Sequence, residues 1–213
     1  MYQPSHFEET RLDVLHGLIR AHPLAAFVAL GDGELIANHM PLLIDASHGP
    51  HGTLHGHVAR ANPLWQRLSA ASAPAIAIFQ GPQAYISPSW YPSKHADGKA
   101  VPTWNYAVVH AHGEPRIVDD ADWLLAHVTA LTTQQEAGQA LPWAVSDAPR
   151  DFIDRMLGAI VGIEMPIARI EGKWKVSQNR PFADRLGVAA GLESRADALS
   201  HAMAALVMER ATR

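Results

Sequence analysis

Apolar positions along the chain change period several times, and those changes divide it into elements. Leu12, Leu15, Leu18 and Ile19 recur at helical spacing, so residues 6–21 predict an amphipathic helix. Ser5 with Glu8 three residues on has the form of a capping box before it, and Pro23 ends it. Apolar runs at 24–30 and 34–44 flank Gly31-Asp32-Gly33, the pattern of a β-hairpin. Pro41 inside the second run confines that strand to an edge or an interruption of the ladder, where a ligand could approach. A third strand, through Thr53-Leu54-His55, leads into the stretch from Gly56, and a helix over 63–71 follows. Strands at 74–79 and 83–87 are separated by Gln80-Gly81-Pro82, and Asp97-Gly98 marks another turn. A long strand spans 101–112, breaks at 113–115 and resumes at 116–118. Asp119 and Asp120 suit a helix start, with Trp123, Leu124, His127, Val128 and Leu131 as its stripe. A further helix covers 147–160, strands at 162–171 and 173–176 meet at a Gly172 turn, and the chain is helix-prone from Ser194.

Strands joined mostly by short turns predict an antiparallel sheet closed into a barrel with helices packed outside, mainly β with α, an α+β fold. No internal repeat, low-complexity tract or long linker is present, so residues 1–213 read as a single domain with a helical C-terminal extension from about 181. No apolar run approaches the roughly 20 residues of a membrane span. The N-terminus has no basic segment leading into an apolar one, so the expectation is a cytoplasmic protein without signal peptide or membrane contact. The absence of cysteine excludes disulfides, thiolate metal sites and a catalytic thiol. A net charge of −4 gives no support to DNA binding, although a basic patch formed in three dimensions or across a dimer stays open.

The stretch that concentrates candidate chemistry is Gly56-His57-Val58-Ala59-Arg60-Ala61-Asn62-Pro63. Asn62 is a good N-cap and Pro63 suits the first helical position. A strand therefore ends at Arg60 as a helix N-terminus opens, and N–H groups, helix dipole and guanidinium converge in a way that suits a phosphate. An ordinary strand-to-helix turn with a solvated arginine fits the same eight residues, and they alone leave both open. There is no G-x-G-x-x-G, G-x-x-x-x-G-K-S/T, H-E-x-x-H or G-x-S-x-G, and no clear helix-turn-helix. His55 with His57, and His110 with His112, each share a strand face, but no carboxylate completes a metal set, and structural hydrogen bonding is the better reading. Trp104-Asn105-Tyr106 and Trp90-Tyr91 suit core or interface anchors; alternatively they wall a flat heteroaromatic ring, with Asn105 on its polar edge. Lys94, Lys173, Lys175 and Arg180 read singly as solvated charges, and Ser177-Gln178-Asn179 as a cap or a ligand contact.

Several blocks together resemble the FMN-binding negative transcriptional regulators of the PaiB type. They are Met1-Tyr2-Gln3-Pro4-Ser5-His6-Phe7, Asn38-His39-Met40-Pro41-Leu42-Leu43, the 56–63 stretch, Tyr85-Ile86-Ser87-Pro88-Ser89-Trp90-Tyr91 and Val101-Pro102-Thr103-Trp104-Asn105-Tyr106. Pro142-Trp143, Ser146-Asp147-Ala148-Pro149 and Gly172-Lys173-Trp174-Lys175-Val176-Ser177-Gln178-Asn179-Arg180 complete the series in the expected order. The resemblance implies an FMN-binding split β-barrel with flanking helices, related to pyridoxamine-phosphate oxidase-like flavoproteins, and a homodimer with two FMN sites at the subunit interface. By it, Arg60, Ala61 and Asn62 hold the FMN phosphate, and Asn38, His39, Met40 and Pro41 run beside the ring. Trp104 and Asn105 approach from the neighbouring subunit, as do Ser177, Gln178 and Asn179; His57, Ser87, Ser89 and Lys94 complete the set. Two functions follow from it. One is a negative regulator, in a family linked to sporulation and protease genes, for which FMN or a related small molecule is the signal. The other is a flavin-dependent oxidoreductase, or a haem-handling relative, without direct DNA binding. No general acid or base is evident; His39 and His57 are the residues to test, since histidine titrates near working pH.

Overall fold

The computed structural model describes residues 1–31, 33–70, 74–94 and 98–211. Nine strands are found among them: β1 (Glu8–Glu9), β2 (Leu24–Gly31), β3 (Glu34–Pro41), β4 (Leu43–Asp45), β5 (Thr53–Ala59), β6 (Ala75–Ile86), β7 (Thr103–Gly113), β8 (Arg116–Val118) and β9 (Ile160–Lys175). The α-helices are α1 (Leu12–Ala21), α2 (Leu64–Ala70), α3 (Ala121–Glu136), α4 (Arg150–Gly158), α5 (Phe182–Glu193) and α6 (Ala198–Ala211). The sheet runs β3-β2-β6-β7-β9-β5-β4, with β1 and β8 also pairing on β9. β3 and β4 stand at opposite ends of this order, yet the chain passes from one to the other through Leu42 alone. A path that closes on itself in this way is that of a barrel.

The 24–31/34–41 hairpin forms as expected, in antiparallel register from Leu24↔Pro41 to Gly31↔Glu34, with Gly33 at φ 82° in its loop. The expected turn positions Asp32 and Asp97 lie outside the described residues, as does Ala71 at the end of the expected 63–71 helix. Pro41 closes an end strand of the sheet, where proline's missing N–H breaks no ladder.

Two compact units are distinguished: the first holds Met1–Leu18, Gln80–His110 and Glu171–Arg213, the second Ile19–Phe79 and Ala111–Ile170. α1, β6, β7 and β9 have residues in both. In the first unit Phe7, Leu15, Leu18, Ile86, Tyr91, Trp174, Val188, Leu192, Met203 and Val207 are buried, and α5 packs on α6. Trp90 is an anchor here: a Cβ on Gly191 of α5 would overlap its ring, and the Arg195 guanidinium lies 5.2 Å from its centroid. In the second unit Ile19, Phe27, Leu42, Leu54, Leu64, Phe79, Ile163, Met165 and Ile167 are buried.

Three expectations fail for one reason, the close approach of neighbouring chain. β6 is a single 12-residue strand straight through Gln80-Gly81-Pro82. β9 is a single 16-residue strand through Gly172. A Cβ at Gly81 would sit 2.9 Å from Leu18 Cδ1 and 3.2 Å from Ala107 O, and one at Gly172 would overlap Leu15 and lie 2.9 Å from Glu9 O. These glycines admit neighbours rather than turn the chain. Opposite Gly172, residues 8 and 9 are drawn into β1, with register Glu8↔Lys173 and Glu9↔Gly172, so the 6–21 helix starts only at Leu12. Glu9 is buried there. Burial raises its carboxyl, but hydrogen bonds from Arg11 and the charge of Arg210 outweigh that and hold it at about 2.

Gly172→Ala is expected to cost about 1–3 kcal/mol, the range for overpacking a core. Gly17→Ala, at an exposed position of α1 with nothing within 4 Å of the new methyl, should stabilise by about 0.5–1 kcal/mol. Urea unfolding of both variants checks the contrast; equal effects would contradict the packing argument.

Candidate functional site

In the second unit the 56–63 stretch folds as its sequence indicates. Asn62 Oδ1 accepts from Leu64 N at 2.9 Å, and Pro63 O accepts from Arg67 N at 3.2 Å, so the cap and first turn of α2 are formed. The Asn62 amide also donates to Asn38 Oδ1 at 2.8 Å, which ties β3 to the start of α2. Arg60 does not stand open beside that helix start. Its Nη1 and Nη2 meet Asp119 Oδ2 and Oδ1 at 2.9 and 2.6 Å, and it donates to Gly158 O and Ile160 O as well. The paired Arg60 guanidinium lowers the Asp119 carboxyl, and Asp119 in turn raises Arg60. Asp119 is more than half exposed, so water screens this fork. Ala61 and His39 are exposed, Pro41 is half-buried, and Met40 is in the core.

His57 belongs to a group that sequence reading missed. Its Nδ1 lies 3.0 Å from His127 Nε2. His127 stacks on Trp123 at 5.3 Å and 19° between ring planes, and Trp123 meets the His55 ring edge-on at 5.5 Å. His55 Nε2 is 3.6 Å from Glu164 Oε2, and Arg116 donates to Glu164 Oε1 at 2.5 Å. A cavity of about 290 Å³ opens here, lined by Asp45, His48, Thr53, His55, Arg116, Trp123 and Glu164. Two local features build the array. Asp120 caps α3 through Trp123 N at 2.7 Å, and Gly162 leaves the Trp123 ring its space, since a Cβ there would overlap it. Burial pushes His127 down to about 4, with His57 and His55 adding to it, and burial lowers His57 too. The pair is therefore neutral at pH 7. His127 Nδ1 is buried and has no partner among the described residues.

In the first unit Asn105 is buried, and its Nδ2 donates to Ser177 Oγ at 2.9 Å, while Oδ1 has no partner among the described residues. Ser177 sits at φ 63°, a left-handed conformation uncommon for serine. Gln178 holds the turn in place: Oε1 accepts from Val176 N at 2.8 Å, and Nε2 donates to Trp174 O. Arg180 N closes it on Ser177 O at 2.9 Å, and Asn179 is exposed. Gln178 is thus a clamp on its own backbone. Trp104 is half exposed, with Nε1 donating to Gln83 Oε1 at 3.0 Å and Tyr85 against its edge. Ser87 Oγ caps Ser89 N at 3.2 Å, and Lys94 N donates to Tyr91 O at 3.1 Å. Lys173, read alone as a solvated charge, is buried, and Lys175 is partly so. The structure therefore joins Asn38 to Asn62, and Asn105 to Ser177; it draws Arg60 onto Asp119 and His57 onto His127. Among the described residues no helix is long and apolar enough to cross a membrane.

Residues 1–169 match the model of the family described as "Putative FMN-binding domain", and the chain belongs to that family of α+β, split-barrel FMN-binding proteins. It is 33% identical to an uncharacterised protein of Emericella nidulans, over 99% of this chain and 97% of that one. It is 29% identical to the Protease synthase and sporulation protein PAI 2 of Bacillus subtilis, over 99% and 98%. Among solved structures it is similar in fold to the FAD and haem binding protein of Mycobacterium smegmatis, with TM-score 0.59 and 17% identity over 79% of this chain and 73% of that one.

The buried, neutral His127 has a consequence for stability. A folded pKa held below the unfolded one gives stability that is complete above about pH 6.5 and lost as pH falls toward the folded value. This site alone should cost about 2 kcal/mol between pH 7.5 and pH 5. His127→Gln is expected to flatten that part of the pH–stability curve in urea titrations; an unchanged slope would refute a neutral buried His127.

Proposed function

We propose that this protein is an FMN-binding negative regulator of the PaiB type that works as a homodimer. The Bacillus subtilis relative, named for protease synthase and sporulation, supports the regulatory part of this reading. The observation that carries the ligand part is the Asn105 carbonyl. A buried acceptor without a partner costs about 1–3 kcal/mol, and the ring N–H or ribityl hydroxyls of a flavin are donors of the right kind. In this reading one subunit supplies Asn38, His39, Met40, Pro41, His57, Arg60, Ala61 and Asn62. The other supplies Ser87, Ser89, Lys94, Trp104, Asn105, Ser177, Gln178 and Asn179. Arg60 exchanges Asp119 for the phosphate, Asn62 stays the anchor between β3 and α2, and Gln178 keeps the Ser177 turn in shape. Trp104 covers one face of the bound molecule and Asn105 fixes its orientation. When bound, FMN supplies reversible one- or two-electron chemistry.

Titration of the purified protein with FMN and riboflavin, followed by visible absorbance and fluorescence, tests this directly. Wild type should bind FMN. Arg60→Ala should weaken FMN roughly 10- to 100-fold while leaving riboflavin nearly unchanged, since charge-assisted hydrogen bonds are of that size. Asn105→Ala should weaken both ligands alike, roughly tenfold. A wild-type protein that binds neither flavin would sink the reading.

The His57–His127 pair favours a second reading, a flavin-dependent oxidoreductase. Two neutral imidazoles in hydrogen bond form a route for a proton that does not require a charged intermediate at rest. Anaerobic addition of NADH or NADPH to the FMN-loaded protein decides between the two. Bleaching of the flavin band, slowed at least tenfold in His57→Gln, would support the enzyme. No bleaching, together with salt-dependent binding of DNA, would support the regulator.

A further inference from the structure

A group of cations in the first unit is left over by everything above. The segment from Gly172 to Arg180 contains Lys173, Lys175 and Arg180 and no acidic residue. The partners of these three side chains are neutral. Lys173 Nζ donates to Tyr2 O at 2.9 Å and lies 5.6 and 5.4 Å from the centroids of the Tyr2 and Tyr106 rings. Lys175 Nζ donates to Thr103 Oγ1 at 2.5 Å. The Arg180 guanidinium lies 4.9 Å from the centroid of the Tyr91 ring. Carbonyls, hydroxyls and aromatic faces solvate a cation without cancelling its charge.

The acids of the neighbourhood are committed elsewhere. Glu9 is held by Arg11 and Arg210, and Glu171 takes the N-terminal ammonium at 3.3 Å. Asp184 accepts from Ser93 N at 3.0 Å and Ser93 Oγ at 2.6 Å. Glu8 stands opposite Lys173 in register but is exposed and makes no ion pair with it. No carboxylate among the described residues forms an ion pair with Lys173, Lys175 or Arg180. Lys173 and Lys175, two apart on β9, share one face of the strand; burial lowers the Lys175 ammonium, Tyr106 opposes this, and Lys173 and Arg180 lower it further. Buried and half-buried like charges held together without a counter-charge are costly, and an anion drawn between them repays that cost.

We propose that Lys173, Lys175 and Arg180 together form an oxyanion-binding site, its ligand a phosphate or carboxylate group. Tyr2, Tyr91, Tyr106 and Thr103 hold the three side chains in place. The Ser177 turn, closed by Arg180 N, fixes where the arginine leaves the strand end. The oxyanion could belong to FMN itself or to a separate small molecule, and the chemistry that recognises it is the same. Where it is the phosphate of FMN, the proposal rests on the reading above and has these cations of one subunit share that phosphate with Arg60 of the other; where it is separate, it does not.

The test compares wild type, Lys175→Met and Arg180→Gln, with Lys175→Arg as the charge-preserving control. Thermal unfolding is followed in inorganic phosphate and in chloride of equal ionic strength, and each protein is titrated with FMN and riboflavin. Phosphate at tenfold its Kd should raise the wild-type Tm by roughly 3–5 °C over chloride. Both neutral variants should lose that rise and Lys175→Arg should keep it. If the variants also bind FMN at least tenfold more weakly than wild type, with riboflavin unchanged, the group bound is the phosphate of FMN. If FMN is unaffected, the site serves a separate anion. A wild type that binds no flavin but retains the phosphate effect overturns the FMN reading and leaves this one standing. Equal Tm in phosphate and chloride, with unchanged FMN affinity in both variants, overturns the proposal.

Discussion

The constraint on which most of the structure depends is the absence of a Cβ at a few points along β9. This strand pairs with β1, β5 and β8, and it lies between β7 and β5 in the sheet order. Each pairing brings backbone or rings over it. At Gly162 the Trp123 ring and Val118 O occupy the volume a side chain would need, and at Gly172 Leu15 and Glu9 O do. Gly162 therefore decides whether Trp123 can lie flat under His127, and so whether His57 has a partner at all. Gly172 decides whether β1 can pair, which buries Glu9 and commits it to two arginines.

Polar groups follow from that packing. Four polar residues of the two candidate sites fall into two kinds. Arg60 and Asn62 are saturated: each donor or acceptor described for them has a protein partner, and the Arg60–Asp119 fork faces water. Asn105 and His127 are buried with one atom unmatched. The difference matters energetically. A screened surface pair gains little, whereas a buried unmatched atom is a standing cost that only a complementary partner reaching it removes. Ser177 adds to the same place a backbone conformation that carries its own penalty. Strain and an unmatched acceptor thus stand at the two ends of one hydrogen bond, Asn105 Nδ2 to Ser177 Oγ.

How far the sequence was legible depends on the range of the interaction. Local chemistry read well. The hairpin about Gly33, Pro41 at the end of an end strand, Asn62 as a cap with Pro63 behind it, and Asp120 at the head of α3 all follow from neighbours within four residues. Glycine read poorly where its meaning was distant. Gly81 and Gly172 look like turns because a turn is the common local use of glycine, while here Leu18 and Leu15 supply the reason from far along the chain. The Ser5–Glu8 capping pattern failed likewise, because Glu8 and Glu9 gain more from pairing with β9 than from capping a helix. Of the site, the residue types were visible but their partners were not. Nothing local connects Arg60 to Asp119, or His57 to a histidine 70 positions on. The stripe containing Trp123 and His127 was visible, yet a stripe does not say which of its members will face a second histidine.

Net charge illustrates the same limit from another side. A chain of −4 reads as indifferent to anions. That sum, however, is taken over groups that screening largely isolates from one another beyond about 10 Å. What an anion meets is local, and locally acids and bases here are unevenly used: Glu9, Glu171 and Asp184 are drawn into pairs, caps and the N-terminus, so that Lys173, Lys175 and Arg180 are left with neutral company. Folding need not do this. A single carboxylate on the strand opposite would have neutralised the group, and Glu8 stands in register with Lys173 without doing so. Charge left unpaired and partly out of water is retained against a steady cost. The residues around it, tyrosines and a threonine, are those that hold cations in position rather than discharge them.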